Sequence, residues 1–280
     1  MIDYNLAGRT VVITGSTGGL GSALATALRS RGANLALLDL DGDAAALQAR
    51  TLGPASVARG WAVDVTDLDS IQSAVGSAAR HFGRVDVVIA NAGIAAVQPL
   101  ESMDPALWER IIDVNLSGVW RTFKASLPHV VERRGYLLAI SSMAAFVHSP
   151  LNGPYVASKA GVWALCDATR LELRHRGVGV GSLHPTFFQT PMMDAVQTDP
   201  VATTLWGGNR AGLFKMIPLD TVVAAAVTGI ENRSDMIVPT RSNALAARIP
   251  GIIRPITDRI GFRHNVIPRA VELASHASPS

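Results

Sequence analysis

Tyr155 and Lys159 stand four residues apart in GPYVASKAGVWAL (153–165), in a chain with three tyrosines and three lysines in all. At helical spacing, residues i and i+4 share one face, so a phenol and an ammonium are set side by side. A tyrosine hydroxyl has an ordinary pKa of about 10, too high for a good base at neutral pH. A neighbouring ammonium favours the phenolate and draws that value down, toward the range in which general acid–base catalysis works best. Tyr-x-x-x-Lys also occurs on ordinary helices as a packing pair, so the reading depends on what surrounds it.

Ser142 closes the apolar run LLAISS, and Asn91, Ala92 and Gly93 follow the run VDVVIA. Both would lie at carboxyl ends of strands, where open α/β sheets bind their ligands. Asn115 falls inside the helical stretch IIDVNLSGVW. A buried mid-helix Asn is unfavourable unless its amide is used, either by a ligand or by a helix-to-strand hydrogen bond. TGSTGGLG (14–21) separates a strand from a helix. Glycines there permit a tight turn, close approach of backbone to a pyrophosphate and close helix–strand packing, while the helix N-terminus offers N–H groups and a positive dipole end. Asp39 ends the second strand, 18 residues after Gly21, and is followed by Leu40 rather than a basic residue. A carboxylate there accepts hydrogen bonds from ribose hydroxyls and repels a 2′-phosphate, so the expected cofactor is NAD in preference to NADP.

These residues are held by short apolar runs that alternate with Ala-rich helical stretches. Strands are expected at 9–15, 34–41, 58–65, 85–93, 135–142, 177–185 and 235–240, and helices at 20–32, 42–51, 67–83, 104–132 and 154–176. Strands that are apolar throughout are buried on both faces, the mark of a parallel sheet covered by helices on both sides. The expectation is an α/β fold: one doubly wound, Rossmann-type domain over residues 1–240. Residues 186–220 interrupt the alternation, and 241–280 form a basic, apolar extension. Composition points to a cytoplasmic protein. The single Cys166 precludes an internal disulfide framework, the chain opens without a charged-then-apolar leader, and no apolar run approaches the roughly 18 residues of a spanning helix. From residue 241 onward six arginines face Asp258 and Glu272, a net +4, which leaves −1 for the first 240 residues out of a total of +3. The main body thus has no basic stripe suited to nucleic acid.

Taken together, these landmarks resemble the short-chain dehydrogenases/reductases over roughly residues 6–240. The match consists of the glycine motif at 14–21, Asp64 after the third strand, Asn91-Ala92-Gly93, Asn115, Ser142 and Tyr155-x-x-x-Lys159, in that order and spacing. The resemblance implies that Tyr155 is the general acid/base. Lys159 would tune it and hold the nicotinamide ribose, Ser142 would position the substrate oxygen, and Asn115 would hold a water in a proton relay. It implies that Gly15, Gly19 and Gly21 form the phosphate turn, that Asp64 contacts the adenine and that Thr190 holds the nicotinamide carboxamide. Ser16, Leu20, Asp39, Leu40, Val65, Asn91, Ala92, Gly93 and Pro185 are expected among the further cofactor contacts. The double glycine fits both the shorter and the longer, epimerase-like branch; the NAG and the modest length favour the shorter. Thr186 stands where the family usually has glycine after Pro185, which puts the backbone path there in question.

The resemblance implies oxidation of a secondary alcohol to a ketone, or the reverse, by a homodimer or homotetramer. A non-catalytic dinucleotide sensor or scaffold of the same fold is the alternative, with epimerase or dehydratase chemistry more distant. Phe187, Phe188, Met192, Met193, Leu205, Trp206, Leu213, Phe214, Met216 and Ile217 make the 186–217 segment an apolar cover suited to a lipophilic alcohol such as a steroid, a terpenoid or a cyclic or long-chain alcohol. Phe146, Pro150 and Leu151 are expected to add to the wall. In the extension, Pro250, Pro255 and Pro268 are expected to divide short helices. Packing on its own domain or on another subunit is the first expectation there, and a membrane-surface contact through 241–273 the second.

Overall fold

The computed structural model describes residues 4–190, 193, 198–206, 215–261 and 266–276. Its seven strands are β1 (Thr10–Thr14), β2 (Asn34–Asp39), β3 (Ala58–Ala62), β4 (Val87–Ala90), β5 (Tyr136–Ile140), β6 (Gly179–Leu183) and β7 (Met236–Ile237). They form one sheet in the order β3-β2-β1-β4-β5-β6-β7, and every pairing is parallel. The apolar runs of the sequence fall into this register with the period of two that a pleated strand imposes. Val11 and Ile13 enter one core layer with Leu35, Leu37, Val87 and Ile89. Val12 enters the other with Ala36, Leu38, Val88 and Ala90. Both faces are therefore covered, as uninterrupted apolar strands require.

The first layer is closed by α1 (Gly19–Ser30) and by the helix Leu219–Glu231. The second is closed by α3 (Leu68–Phe82), α5 (Gly118–Glu132) and α6 (Gly153–Leu173). The remaining connections carry α2 (Gly42–Leu52) and α4 (Pro105–Ile112). The single helix expected over 104–132 is in fact α4 and α5 joined by a π-helical turn, Asp113–Ser117. The helix Leu219–Glu231 was not foreseen, because its Val/Ala-rich sequence lies next to the irregular 186–220 segment. At the amino ends of the strands, Asp86 is fully buried but held by Arg84 at 2.6 Å, Arg9 at 3.1 Å and the Thr10 amide at 2.9 Å. A buried carboxylate paired this fully is tolerated, and losing one partner would leave it uncompensated.

The extension packs on this body. In Arg241–Arg248, Ala246 and Ala247 are buried against Met143, Phe146 and Val147. In Val266–His276, Ala270 is buried against the helix Pro200–Trp206 and Leu151. Of the three prolines expected to divide it, Pro250 and Pro268 lie in the first turns of helices, where proline is tolerated, while Pro255 sits inside Pro250–Gly261. Among the described residues no helix is long and apolar enough to cross a membrane.

Candidate active site

The strand order reverses between β1 and β4, and a cleft of about 1120 Å³ opens there at the carboxyl edge of the sheet. The glycine turn forms its floor. Gly15 has φ +62°, and a Cβ on it would lie 2.8 Å from the Ala92 Cα. A Cβ on Gly21 would lie 2.3 Å from the Gly15 carbonyl oxygen, so only glycine allows this helix to sit so close to the turn. The Asn91 amide donates to the carbonyls of Thr14 (3.0 Å) and Gly15 (2.8 Å) and clamps the turn from β4. Asp41, Asp67 and Asp104 each cap their helices by accepting a backbone N–H. The N-cap of α1 is Gly18 and supplies no side-chain bond, so the first N–H groups of α1 face the cleft without a side-chain partner. That is the arrangement an anion such as a pyrophosphate fits.

Most of the expected cofactor contacts line this cleft: Gly15, Gly19, Leu20, Gly21, Asp39 and Leu40 on one side, and Asp64, Val65, Asn91, Ala92 and Gly93 further along. Pro185, Thr190, Tyr155 and Lys159 line its other end. Asp39 accepts the Thr17 amide (2.9 Å) and hydroxyl (2.7 Å), both on Oδ2. Asp64 accepts the Thr66 hydroxyl (2.7 Å) and amide (2.8 Å), bonds that hold its carboxyl below the usual range. Ser16 is fully buried beside the turn, with its amide on the Leu38 carbonyl, and is not among the residues that line the cleft. The left-handed turn at Gly15 carries the chain inward at the next residue. Arg110, on α4, was not singled out; it lines the cleft with Ala106 and Asp113 on one helical face, a spacing legible in the sequence.

A second cavity of about 440 Å³ adjoins the first, and Tyr155, Phe188 and Thr190 line both. Ser142 lines the second; its hydroxyl accepts the Ala144 amide at 3.1 Å and lies within hydrogen-bonding reach of the Tyr155 hydroxyl. Lys159 is buried, donates to the Ile140 carbonyl at 2.8 Å and lies 5.5 Å from the Tyr155 ring centroid. Burial lowers the Lys159 pKa to about 8. Burial raises that of Tyr155, and the hydrogen bond from Ser142 opposes it. Desolvation thus outweighs the Ser142 hydrogen bond at the phenol, while one N–H of the Lys159 ammonium is taken by the Ile140 carbonyl.

Asn115 is fully buried in the π-helical turn and lines neither cavity. Its amide exchanges bonds with Ile94 (Oδ1 accepts at 2.8 Å, Nδ2 donates at 2.9 Å) and Nδ2 also reaches Ser158 Oγ at 3.2 Å. The helix-to-strand-end hydrogen bond is therefore what the structure displays. Two supports were missed. The Ser141 hydroxyl donates to the Lys159 carbonyl (2.8 Å). The fully buried His184 pairs with Ser182 Oγ at 2.8 Å and the Ser142 carbonyl at 3.2 Å, with its pKa lowered by burial to about 4.

Phe187, Met193 and Trp206 of the expected cover line the second cavity, while Leu205 is buried behind it. Met192, Leu213 and Phe214 lie outside the described residues. Phe146, Pro150 and Leu151 do not line the cavity; their neighbours Val147, Ser149 and Asn152 do. Phe146 packs on Trp163 and His184 instead, each at 4.7 Å between ring centroids. Thr186 takes no positive φ, so the replacement of the family glycine leaves its backbone unstrained.

The chain matches the family described as short chain dehydrogenase over residues 9–200. It is 33% identical over 234 residues to the D-threitol dehydrogenase of Mycolicibacterium smegmatis, covering 80% of this chain and 86% of that one. It is 33% identical to the 3beta-hydroxysteroid dehydrogenase 1 of Eggerthella lenta, covering 79% of this chain and 83% of the relative. With the (-)-trans-carveol dehydrogenase of Rhodococcus erythropolis it shares 36% identity, over 66% of this chain and 73% of that one. The crystal structure of a short-chain type dehydrogenase/reductase from Mycobacterium marinum aligns with a TM-score of 0.74 at 25% identity, covering 84% of this chain and 95% of the other.

Proposed function

The chain belongs to the short chain dehydrogenase family, and from that premise we propose that it is an NAD-dependent oxidoreductase interconverting a secondary alcohol and a ketone. The observation that carries the reading is the position of Tyr155, at the junction of two cavities with Lys159 on one side and Ser142 on the other. The glycine cradle and the uncapped start of α1 fit a pyrophosphate. Asp39 favours ribose hydroxyls over a 2′-phosphate, which supports NAD rather than NADP. When bound, the nicotinamide supplies the hydride acceptor or donor, together with a positive charge in its oxidised form.

The residues of the chain supply position and proton transfer. The Ser142 hydroxyl orients the substrate oxygen in the second cavity. In oxidation the Tyr155 hydroxyl, as phenolate, takes the alcohol proton as the carbinol hydride leaves. Burial alone holds the phenol protonated, so the base form depends on positive charge brought beside it. Lys159 lies closest of the described cations on the Tyr155 face of α6. Asn115 fixes the segment at Ile94 that borders the cleft, and in the proposed relay it acts from there.

The walls of the second cavity, with Val97, Met143, Val147, Phe187 and Trp206, support a largely apolar substrate. The relatives act on threitol, a hydroxysteroid and carveol by their names, and the reading for this chain is the lipophilic end of that range. Asn243 of the extension joins the cavity wall, so we assign residues 241–248 to the substrate site rather than to a membrane surface. The test is turnover of a panel of cyclic, terpenoid, steroid and long-chain secondary alcohols with NAD⁺ and NADP⁺. Net reduction of NAD⁺ in preference to NADP⁺ supports the proposal. Nucleotide binding without turnover across the panel favours the sensor alternative.

A further inference from the structure

Asn152 is the N-cap of α6, a position for which Asn is among the best residues. Its side chain makes no capping bond, whereas Asp41, Asp67 and Asp104 all cap their helices. Instead it lines the second cavity with Ser142 and Tyr155. The residue is 7% exposed, and its Oδ1 is buried without a hydrogen-bond partner. A buried amide oxygen left unpaired works against folding, as native structures almost always satisfy such groups.

The residue before it adds a second cost. Leu151 has φ +61°, in the left-handed region that a bulky side chain rarely adopts. Its carbonyl is held there by the Gln98 amide at 2.7 Å. Backbone strain of this kind persists where the surroundings impose it, and it concentrates at ligand sites. Here it sets the direction in which the chain enters α6. An unused cap, an unpaired buried amide and a strained neighbour thus coincide at one wall of the substrate cavity.

From this we infer that Asn152 is a specificity-determining residue whose Oδ1 accepts a hydrogen bond from a second, uncharged hydroxyl of the substrate, remote from the reacting carbinol. The inference rests on the proposed alcohol oxidation at Tyr155 and narrows its substrate to a hydroxylated lipophile such as a diol. The second group is uncharged because no cation is among the described residues of this cavity to meet a carboxylate, and its one carboxylate, Asp199, is engaged by the Val201 amide at 2.8 Å.

The test uses matched substrates: a secondary mono-alcohol and the diol that adds one remote hydroxyl, on cyclohexane, decalin and steroid skeletons, with 4-hydroxycyclohexanecarboxylate as the charged comparison. Wild type, Asn152→Ala and Asn152→Ser are assayed with NAD⁺, and circular dichroism and NAD⁺ affinity report folding. The serine variant keeps a capping residue should alanine fail to fold. Wild type is expected to favour a diol over its mono-alcohol by about tenfold or more in kcat/KM, because a site built to bond a hydroxyl rejects the analogue lacking it. Both variants are expected to bring that ratio to within about twofold while NAD⁺ affinity stays unchanged. A wild type indifferent to the second hydroxyl overturns the inference and leaves the oxidoreductase reading standing, as does a preference that survives in both variants. Preference for the carboxylate over the diol overturns the assignment of an uncharged group. No turnover on any skeleton overturns the functional reading, and this inference with it.

Discussion

Replacing Lys159 with methionine should destroy activity and stabilise the fold at neutral pH. Lys159 is 4% exposed, and burial brings its pKa from the ordinary 10.5 to about 8. Each unit corresponds to about 1.4 kcal/mol, so at pH 7 the buried charge works against folding by about 3 kcal/mol. A group whose folded pKa lies below its unfolded one binds more protons unfolded. Its contribution is therefore fully favourable above pH 10.5 and is lost as the pH falls through 8. Methionine removes the charge with little change in volume but leaves the Ile140 carbonyl without its 2.8 Å donor, a loss of about 1–2 kcal/mol. Lys159→Met is accordingly expected to be more stable than wild type by about 1–2 kcal/mol at pH 7. At pH 10 that advantage should vanish or reverse. Urea unfolding of the cofactor-free protein at the two pH values measures both numbers. A variant less stable than wild type at pH 7, or a difference that does not change with pH, would refute the argument that the ammonium is held out of water at an energetic cost.

The other predictions concern the cradle, the ribose site and the buried imidazole. Gly21→Ala places a Cβ 2.3 Å from the Gly15 oxygen. It should weaken NAD⁺ binding by at least tenfold and destabilise the fold by about 1–3 kcal/mol, measured by calorimetry and urea unfolding. Asp39→Ala removes the carboxylate that accepts both Thr17 donors, and the ratio of NADP⁺ to NAD⁺ in kcat/KM should rise by about tenfold or more; an unchanged ratio assigns the discrimination elsewhere. His184 is held neutral, with a folded pKa of about 4. Its share of stability is intact above about pH 6.5 and lost as the pH falls toward 4, by about 3 kcal/mol in all. His184→Gln should flatten the acid limb of the stability profile by that amount, and an equally steep limb in the variant would contradict it.

Much of this arrangement was legible in the sequence, for a physical reason. Continuous apolar strands such as VVIT and VVIA leave little choice but a parallel sheet covered on both faces, and that fold places their carboxyl ends together. Ser142, Asn91–Gly93 and the glycine turn were brought together by this logic before any geometry was known. What stayed hidden depended on three-dimensional contact. Asn115 offers a plausible amide, yet only the π-helical turn shows it engaged by Ile94 and Ser158. Whether Lys159 depresses the Tyr155 pKa depends on burial against charge, and spacing carries no information on burial. Ser16 follows a glycine in the left-handed region and is fully buried, a burial the motif does not reveal. Asn152 carries no signal in the sequence; its unpaired amide oxygen is visible only where the cap bond is missing and the cavity is present.

The central claim is that Tyr155 carries the proton. Its most direct test measures, on one preparation, NAD⁺ affinity and alcohol-dependent NADH formation for wild type and Tyr155→Phe. The two side chains differ by one hydroxyl, so packing in the junction between the cavities is retained. The account predicts NAD⁺ affinity unchanged within about twofold and turnover lower by about 10²–10⁴-fold, the range a positioned acid–base group supplies. Turnover that survives in Tyr155→Phe would contradict it and assign the proton transfer to another group.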